Sequence, residues 1–183
     1  MQFRILETPT GPFALMVNDG QIATSWMTAA LSRRLRSARP SARLLPDLAR
    51  RLGLYFKGKQ VDFDDVPTPE GSEFFRGCWD ACRRIPRGQT RSYAQLAAMA
   101  GGNASAARAA GQSMRRNPLP VVVPCHRVIA TGGSLHGFGG SCDSASRELH
   151  VKSTLLAMEG ALSATQRRPR RNGSQRVLEF AAS

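Results

Sequence analysis

The 183-residue sequence predicts an α+β fold in two units: a small amino-terminal sheet with a helix over residues 1–67, and a mostly helical unit over residues 68–162. Three observations predict it. Two short apolar runs flank a tight-turn tripeptide near the start, apolar residues at helical spacing take over after residue 44, and a glycine pair at 101–102 separates two short helical segments. Residues 163–183 form a basic tail expected to be flexible.

The elements follow in order. Phe13 to Val17 and Ile22 to Trp26, separated by Asn18-Asp19-Gly20, read as a β-hairpin. Leu44, Leu45, Leu48, Leu52, Tyr55 and Phe56 keep one helical face, Gly58 stops it, and Val61-Asp62-Phe63 reads as extended. The Pro- and acid-rich loop Asp64 to Gly71 marks the boundary between units. Phe74, Phe75, Cys78, Trp79 and Cys82 line the next helix, which Ile85-Pro86-Arg87-Gly88 closes. Ser92 caps a helix through Tyr93, Leu96 and Met99, and Asn103 caps a second one from Ala104 to Arg115. Two helices about a glycine turn give helix-turn-helix geometry. The apolar run Leu119 to Val123 reads as a buried extended segment that ends at Pro124-Cys125-His126-Arg127-Val128.

Composition narrows the function. Hydrophobic residues make up 42% and charged residues 21%, the usage of a folded globular chain. Lys plus Arg number 26 against 13 Asp plus Glu, a net charge of +13, which fits a polyanion binder. The competing reading is a solvated excess, part of it in Arg167-Arg168-Pro169-Arg170-Arg171. No apolar run approaches the roughly 20 residues that cross a bilayer, and no leader is evident at the amino end, so a cytoplasmic monomer without membrane contacts is expected. The four cysteines, Cys78, Cys82, Cys125 and Cys142, then sit in a reducing compartment. All three histidines lie in the last third, and Cys78-x3-Cys82 has no second pair at zinc spacing, so it reads as a buried structural pair and no metal is expected.

Cys125-His126 is the reactive candidate. A thiolate is the nucleophile, and a nearby imidazole, backbone donors or arginines would lower the thiol pKa toward working pH. On an extended strand adjacent side chains point apart, so the pair needs a bend to meet; alone it is a weak signal. The helix Ser105 to Arg115 adds a second feature: small residues that permit close backbone approach, with Arg108 and Arg115 projecting from it. Such a face suits DNA, although an Ala-rich packing helix with solvated arginines explains the same residues.

Taken together, Ile85-Pro86 through Tyr93, Ala106-Ala107-Arg108-Ala109, Asn117-Pro118, Pro124-Cys125-His126-Arg127-Val128 and Leu155-Leu156-Ala157-Met158-Glu159-Gly160 resemble, in order, the O6-alkylguanine-DNA alkyltransferase family. The likeness is close over residues 71–160 and looser over residues 5–67, through Thr8 to Pro12 and Tyr55-Phe56-Lys57-Gly58. It implies irreversible, single-turnover repair without a cofactor, in which Cys125 takes the alkyl group from O6-alkylguanine in duplex DNA, with O4-alkylthymine as a further candidate substrate. His126 resembles the general base acting through a water, Glu159 the acid that orients it, and Asn117 the brace of the cysteine loop. The base must be flipped out of the helix, at a cost of a few kcal/mol. Arg108 resembles the residue that fills the gap and Tyr93 the one that rotates the nucleotide, while Gly111, Met114 and Arg115 would line the minor groove. Pro120, Val128, Phe138 and Gly139 would line the base pocket.

The sequence departs from the family at two places. Where many members carry a tyrosine in Gly-Tyr-x-Gly-Gly, this chain has Phe138 in Gly137-Phe138-Gly139-Gly140, preceded by His136. Residues 141–148 are longer than usual and include Glu148, a competing partner for His126. Three rival functions stay open at this stage: a non-catalytic sensor of alkylated bases, a Cys-His hydrolase, and a transcription factor.

Overall fold

The computed structural model describes residues 1–135 and 146–162. A four-stranded sheet opens the chain, in the order β3-β2-β1-β4. Strand β1 (Gln2–Leu6) pairs antiparallel with β2 (Phe13–Asn18), β2 pairs antiparallel with β3 (Gln21–Trp26), and β4 (Arg39–Pro40) lies parallel to β1. The β2–β3 turn has Asp19 at φ 48° and Gly20 at φ 79°, the two positive values that a two-residue hairpin of matching twist requires. The predicted hairpin is present. Strands β1 and β4 and helix α1 (Ala29–Leu35) were not foreseen, because β1 carries the mixed pattern Gln-Phe-Arg-Ile-Leu and α1 is seven residues long with two arginines in its last turn.

The sheet separates two apolar layers. Phe13 and Leu15 on β2 face the main core, whereas Ala14 and Met16 face the opposite side and pack with Leu35 of α1. On the main side lies α2 (Pro46–Phe56), which buries Leu48, Ala49, Leu52, Tyr55 and Phe56. Residues 61–63, read as extended, join no ladder and turn at Phe63 to Val66 instead. Helix α3 (Glu73–Arg83) follows, started by a Ser72 cap, with Cys78 and Cys82 fully buried on one face. The main core runs without a break from Phe13 and Leu48 through Trp79 to Cys125 and Leu155, so the two predicted units share it.

Strand β5 (Arg91–Ser92) leads into α4 (Tyr93–Met99), whose start is a reciprocal capping box: the Gln95 N–H donates to Ser92 Oγ at 3.1 Å, and the Ser92 N–H donates to Gln95 Oε1 at 2.8 Å. The second helix of the motif begins later than predicted. Residues Ala104–Ala106 form a 3-10 turn and α5 runs over Ala107–Arg115. Asn103 precedes that turn, but its Oδ1 accepts from Ser105 Oγ at 2.5 Å and not from a backbone N–H. Trp79 Nε1 donates to the Ser113 carbonyl at 2.9 Å and ties α5 to α3 inside the core.

The segment before the cysteine also differs from expectation. Leu119 to Val123 is a tight turn and not an extended strand: the Val123 N–H donates to the Leu119 carbonyl at 2.8 Å, and Val121 sits at φ 77°. Prolines at 118, 120 and 124 remove the N–H groups that a strand ladder would use. Cys125–Arg127 then form one 3-10 turn, and the strand comes after the cysteine, as β6 (Val128–Ile129) parallel to β5. Helix α6 (Arg147–Met158) closes the described fold.

Candidate active site

Cys125 and His126 are placed by the elements on either side of them. Upstream, Asn117 uses both ends of its amide: Nδ2 donates to the Val123 carbonyl at 2.9 Å, and Oδ1 accepts the Leu119 N–H at 2.9 Å. One side chain thus closes the turn that ends at Cys125. Downstream, β6 pairs with β5, so the chain that leaves the cysteine is tied to the first residue of the helix-turn-helix. Cys125 and His126 lie in a 3-10 turn and not on an extended strand, and the thiol meets the backbone N–H of His126.

His126 is buried and meets a closed polar network. Its Nε2 lies 3.1 Å from Glu159 Oε1 and 3.2 Å from the Tyr55 hydroxyl, which itself donates to Glu159 Oε1 at 2.8 Å. Arg127 completes it, donating from Nε to Glu159 Oε2 at 2.8 Å and from NH2 to Oε1 at 2.9 Å, while NH1 donates to the Ile85 carbonyl at 2.7 Å. Such a planar two-point pair is the strongest geometry an arginine offers a carboxylate. The turn at Gly88, at φ 81°, passes so close to the end of α6 that an added Cβ would stand 3.2 Å from the Glu159 carbonyl.

Electrostatics follow from burial and partners. Burial alone would raise the Glu159 carboxyl, but the bonds from His126 and Arg127 outweigh it and hold the group far below the usual carboxylate range. Burial depresses His126, and Glu159 offsets this only in part, so the imidazole is neutral near pH 7. Arg127 is therefore the cation that keeps Glu159 ionised there. An ionised carboxylate at Nε2 draws the imidazole proton to that nitrogen, which makes Nδ1 the acceptor of the ring.

The thiol departs from the expected direction. Burial pushes Cys125 above the ordinary thiol value and outweighs the Asn117 side chain, the charge of Lys152 and the backbone N–H groups of Cys125 and His126, all of which pull it down. The sequence offered the donors but gave no measure of how completely the site is closed. Lys152 is itself fully buried, donates to the Val128 carbonyl at 2.7 Å, and is lowered by burial to about 8.

The remaining predicted residues divide. Arg108 and Arg115 are exposed on α5, and the Tyr93 ring packs over Gly111, whose added Cβ would lie 3.8 Å from it. Met114, by contrast, is buried in the core instead of lining an open groove. Val128 is fully buried and Pro120 partly so. Phe138, Gly139, most of the inserted segment and the basic tail lie outside the described residues. Glu148, the competing partner, is exposed in the first turn of α6, and it is Glu159 that reaches His126. Sequence reasoning missed Tyr55 and Arg127 as members of this network. Tyr55 read as one more core aromatic, and only a buried hydroxyl in need of a partner could have singled it out.

Among the described residues, no group of three or more His, Cys, Asp or Glu could hold a metal ion, and no helix is long and apolar enough to cross a membrane. Residues 73–161 match the family model described as 6-O-methylguanine DNA methyltransferase, DNA binding domain. A methylated-DNA–protein-cysteine methyltransferase of Methanosarcina acetivorans is 34% identical over 175 residues, covering 88% of this chain and 99% of that protein. The enzyme of the same name from Mycolicibacterium paratuberculosis is 36% identical over 160 residues, covering 87% of this chain and 92% of its own length. The crystal structure of Mycobacterium tuberculosis OGT in complex with DNA superposes with a TM-score of 0.73 at 29% identity, over 88% of this chain and 94% of that one. The chain belongs to the methylated-DNA–protein-cysteine methyltransferase family.

Proposed function

We propose that the protein repairs DNA by transferring a methyl or larger alkyl group from O6-alkylguanine to Cys125, irreversibly and once per molecule. The observation that carries this reading is the buried network next to the cysteine, in which Arg127 and Tyr55 hold Glu159 and Glu159 Oε1 lies 3.1 Å from His126 Nε2; with the imidazole proton on Nε2, Nδ1 is the atom that takes the thiol proton. Because burial keeps the thiol protonated, a base that acts as the reaction begins is needed, and a neutral imidazole supplies it. The thiolate sulfur bonds to the alkyl carbon and the carbon–O6 bond breaks. The electron pair stays on the guanine oxygen, and the base recovers its ordinary form by taking up a proton. No step returns the thioether to a thiol, so the protein is consumed.

DNA is bound through the helix-turn-helix, with α5 in the minor groove. Exposed Arg108 takes the place of the extruded nucleotide and Arg115 lines the minor groove, while Tyr93, seated on Gly111 at the start of α4, turns the nucleotide outward. An inserted side chain offsets part of the unstacking cost. By the family resemblance, Phe138 would offer the flipped base a ring without a hydroxyl.

The test is stoichiometry. Duplex DNA containing O6-methylguanine, in tenfold excess over protein, is digested to nucleosides after reaction. Conversion of one equivalent of O6-methylguanine to guanine is expected, with no further turnover on longer incubation. Conversion beyond one equivalent would overturn the single-use mechanism, and no conversion with lesion-selective binding would make the protein a sensor.

A further inference from the structure

One polar side chain on the inward face of the sheet belongs to none of the groups placed so far. Along β3, Ile22 and Trp26 pack against the main core while Ala23 packs on the opposite side with the α1 layer. Thr24 shares the inward face with Ile22 and Trp26 and is 2% exposed, a threonine where the pattern calls for an apolar residue. β3 is an edge of the sheet, and Thr24 uses that free edge on the cysteine loop. Its N–H donates to the Pro118 carbonyl at 2.9 Å, and its hydroxyl donates to the Pro120 carbonyl at 2.9 Å.

The acceptors explain why an outside donor is needed. Pro118, Pro120 and Pro124 carry no N–H, so the run from Asn117 to Cys125 is poor in its own donors. Within it, Val121 stands at φ 77°, a conformation that a β-branched residue keeps only when its surroundings hold it there. Asn117 clamps one side of this turn through Leu119 and Val123, and Thr24 clamps the other through Pro118 and Pro120. The pinned turn continues directly to the nucleophile: Pro120 bridges Val123, and the Cys125 N–H donates to the Val123 carbonyl at 2.8 Å.

We propose that Thr24 is a positioning residue for Cys125, its hydroxyl holding the donor-poor loop in the strained turn that presents the nucleophile. The amino-terminal sheet thereby takes part in the reaction through one side chain, without touching DNA or the reacting atoms. This claim rests on the transfer reading above.

The decisive variant is Thr24→Val, which keeps the volume, the branching and the backbone N–H and removes only the hydroxyl donor. In full-length protein, single-turnover methyl transfer at saturating duplex is expected to slow by roughly tenfold, the effect of about one hydrogen bond, with affinity for undamaged duplex unchanged. Thr24→Ser, which restores the donor, should return the rate to near that of the wild type. A second readout avoids DNA: the pH dependence of Cys125 alkylation by a small haloacetamide, followed by peptide mapping. Loosening the loop lets water reach the thiol, so the Thr24→Val profile should shift to lower pH.

A Thr24→Val protein that melts earlier yet transfers at the wild-type rate with an unshifted profile would overturn the proposal, and so would failure of Thr24→Ser to restore a slowed rate. If Thr24→Val does not fold, Thr24→Ala is read by the same two measurements with the same criteria. Wild-type protein that gains no alkyl group would defeat the transfer reading instead, and the haloacetamide profile would then decide the Thr24 claim alone.

Discussion

Replacing Glu159 by Gln separates the relay from the fold around it. The change keeps the shape of the side chain and removes its charge from a site where Oε1 receives bonds from Tyr55, His126 and Arg127 and Oε2 receives one from Arg127. When His126 takes the thiol proton it becomes an imidazolium 3.1 Å from that carboxylate. At an effective dielectric of about 20 this pair is attractive by roughly 5 kcal/mol. The Gln amide still accepts from the imidazolium and recovers about half of this, a charge-assisted bond being roughly twice a neutral one, so the variant should lose about 2.7 kcal/mol of stabilisation, near a hundredfold in single-turnover rate. Stability should fall as well, by about 2–3 kcal/mol. That is less than the roughly 3–5 kcal/mol for a fully buried pair, because the Arg127 side chain keeps 14% of its surface in solvent and retains the Ile85 carbonyl. A domain stable by about 5–15 kcal/mol stays folded after such a loss. The assay is transfer from a single O6-methylguanine duplex at 15 °C, beside the thermal midpoint and a Glu148→Gln control. Wild-type speed in Glu159→Gln, or a comparable slowing in Glu148→Gln, would refute the reasoning.

The pH profile follows from the direction of the His126 shift. Burial lowers its pKa below the ordinary 6.5, so the imidazole is neutral at and above that value. The acid-side midpoint of the transfer rate should therefore lie below 6.5, and a midpoint at or above 6.5 would contradict this. Stability changes in the same sense: the folded state binds fewer protons on His126 than the unfolded chain does, so this group costs stability as pH drops below 6.5. Tyr55→Phe removes one donor to Glu159, about 1 kcal/mol, and should slow transfer severalfold without changing duplex affinity; an unchanged rate would remove Tyr55 from the relay. Arg108→Ala should slow repair of duplex by about two orders of magnitude while leaving reaction with free O6-benzylguanine intact, since a free base needs no flipping. Equal losses on both substrates would place Arg108 elsewhere in the mechanism.

Much of this architecture is legible in the sequence because it is local. The hairpin at Asn18-Asp19-Gly20, the Ser92 cap and the helical spacing from Leu48 to Phe56 are decided within a few residues, and each is present in the structure. The turn at Val121 was misread because an apolar run of that length also fits a buried strand, and only the spacing of its prolines argued otherwise. The site divides along the same line. Cys125, His126 and Asn117 stand within ten residues of one another, in two neighbouring motifs. Tyr55 reaches Glu159 across 104 positions and Thr24 reaches Pro120 across 96, and no periodicity records a contact made by a tertiary fold. The raised thiol was illegible for a related reason, since the sequence names the nearby donors but not the water they exclude.

If Cys125 is the alkyl carrier, the protein itself records the reaction. Intact-protein mass spectrometry after incubation with O6-methylguanine duplex, with peptide mapping and a Cys125→Ser control, tests it most directly. A gain of a single methyl group, located on Cys125, is expected in the wild type alone. A wild-type protein of unchanged mass after the lesion has bound, or a methyl group found on another residue, would contradict it.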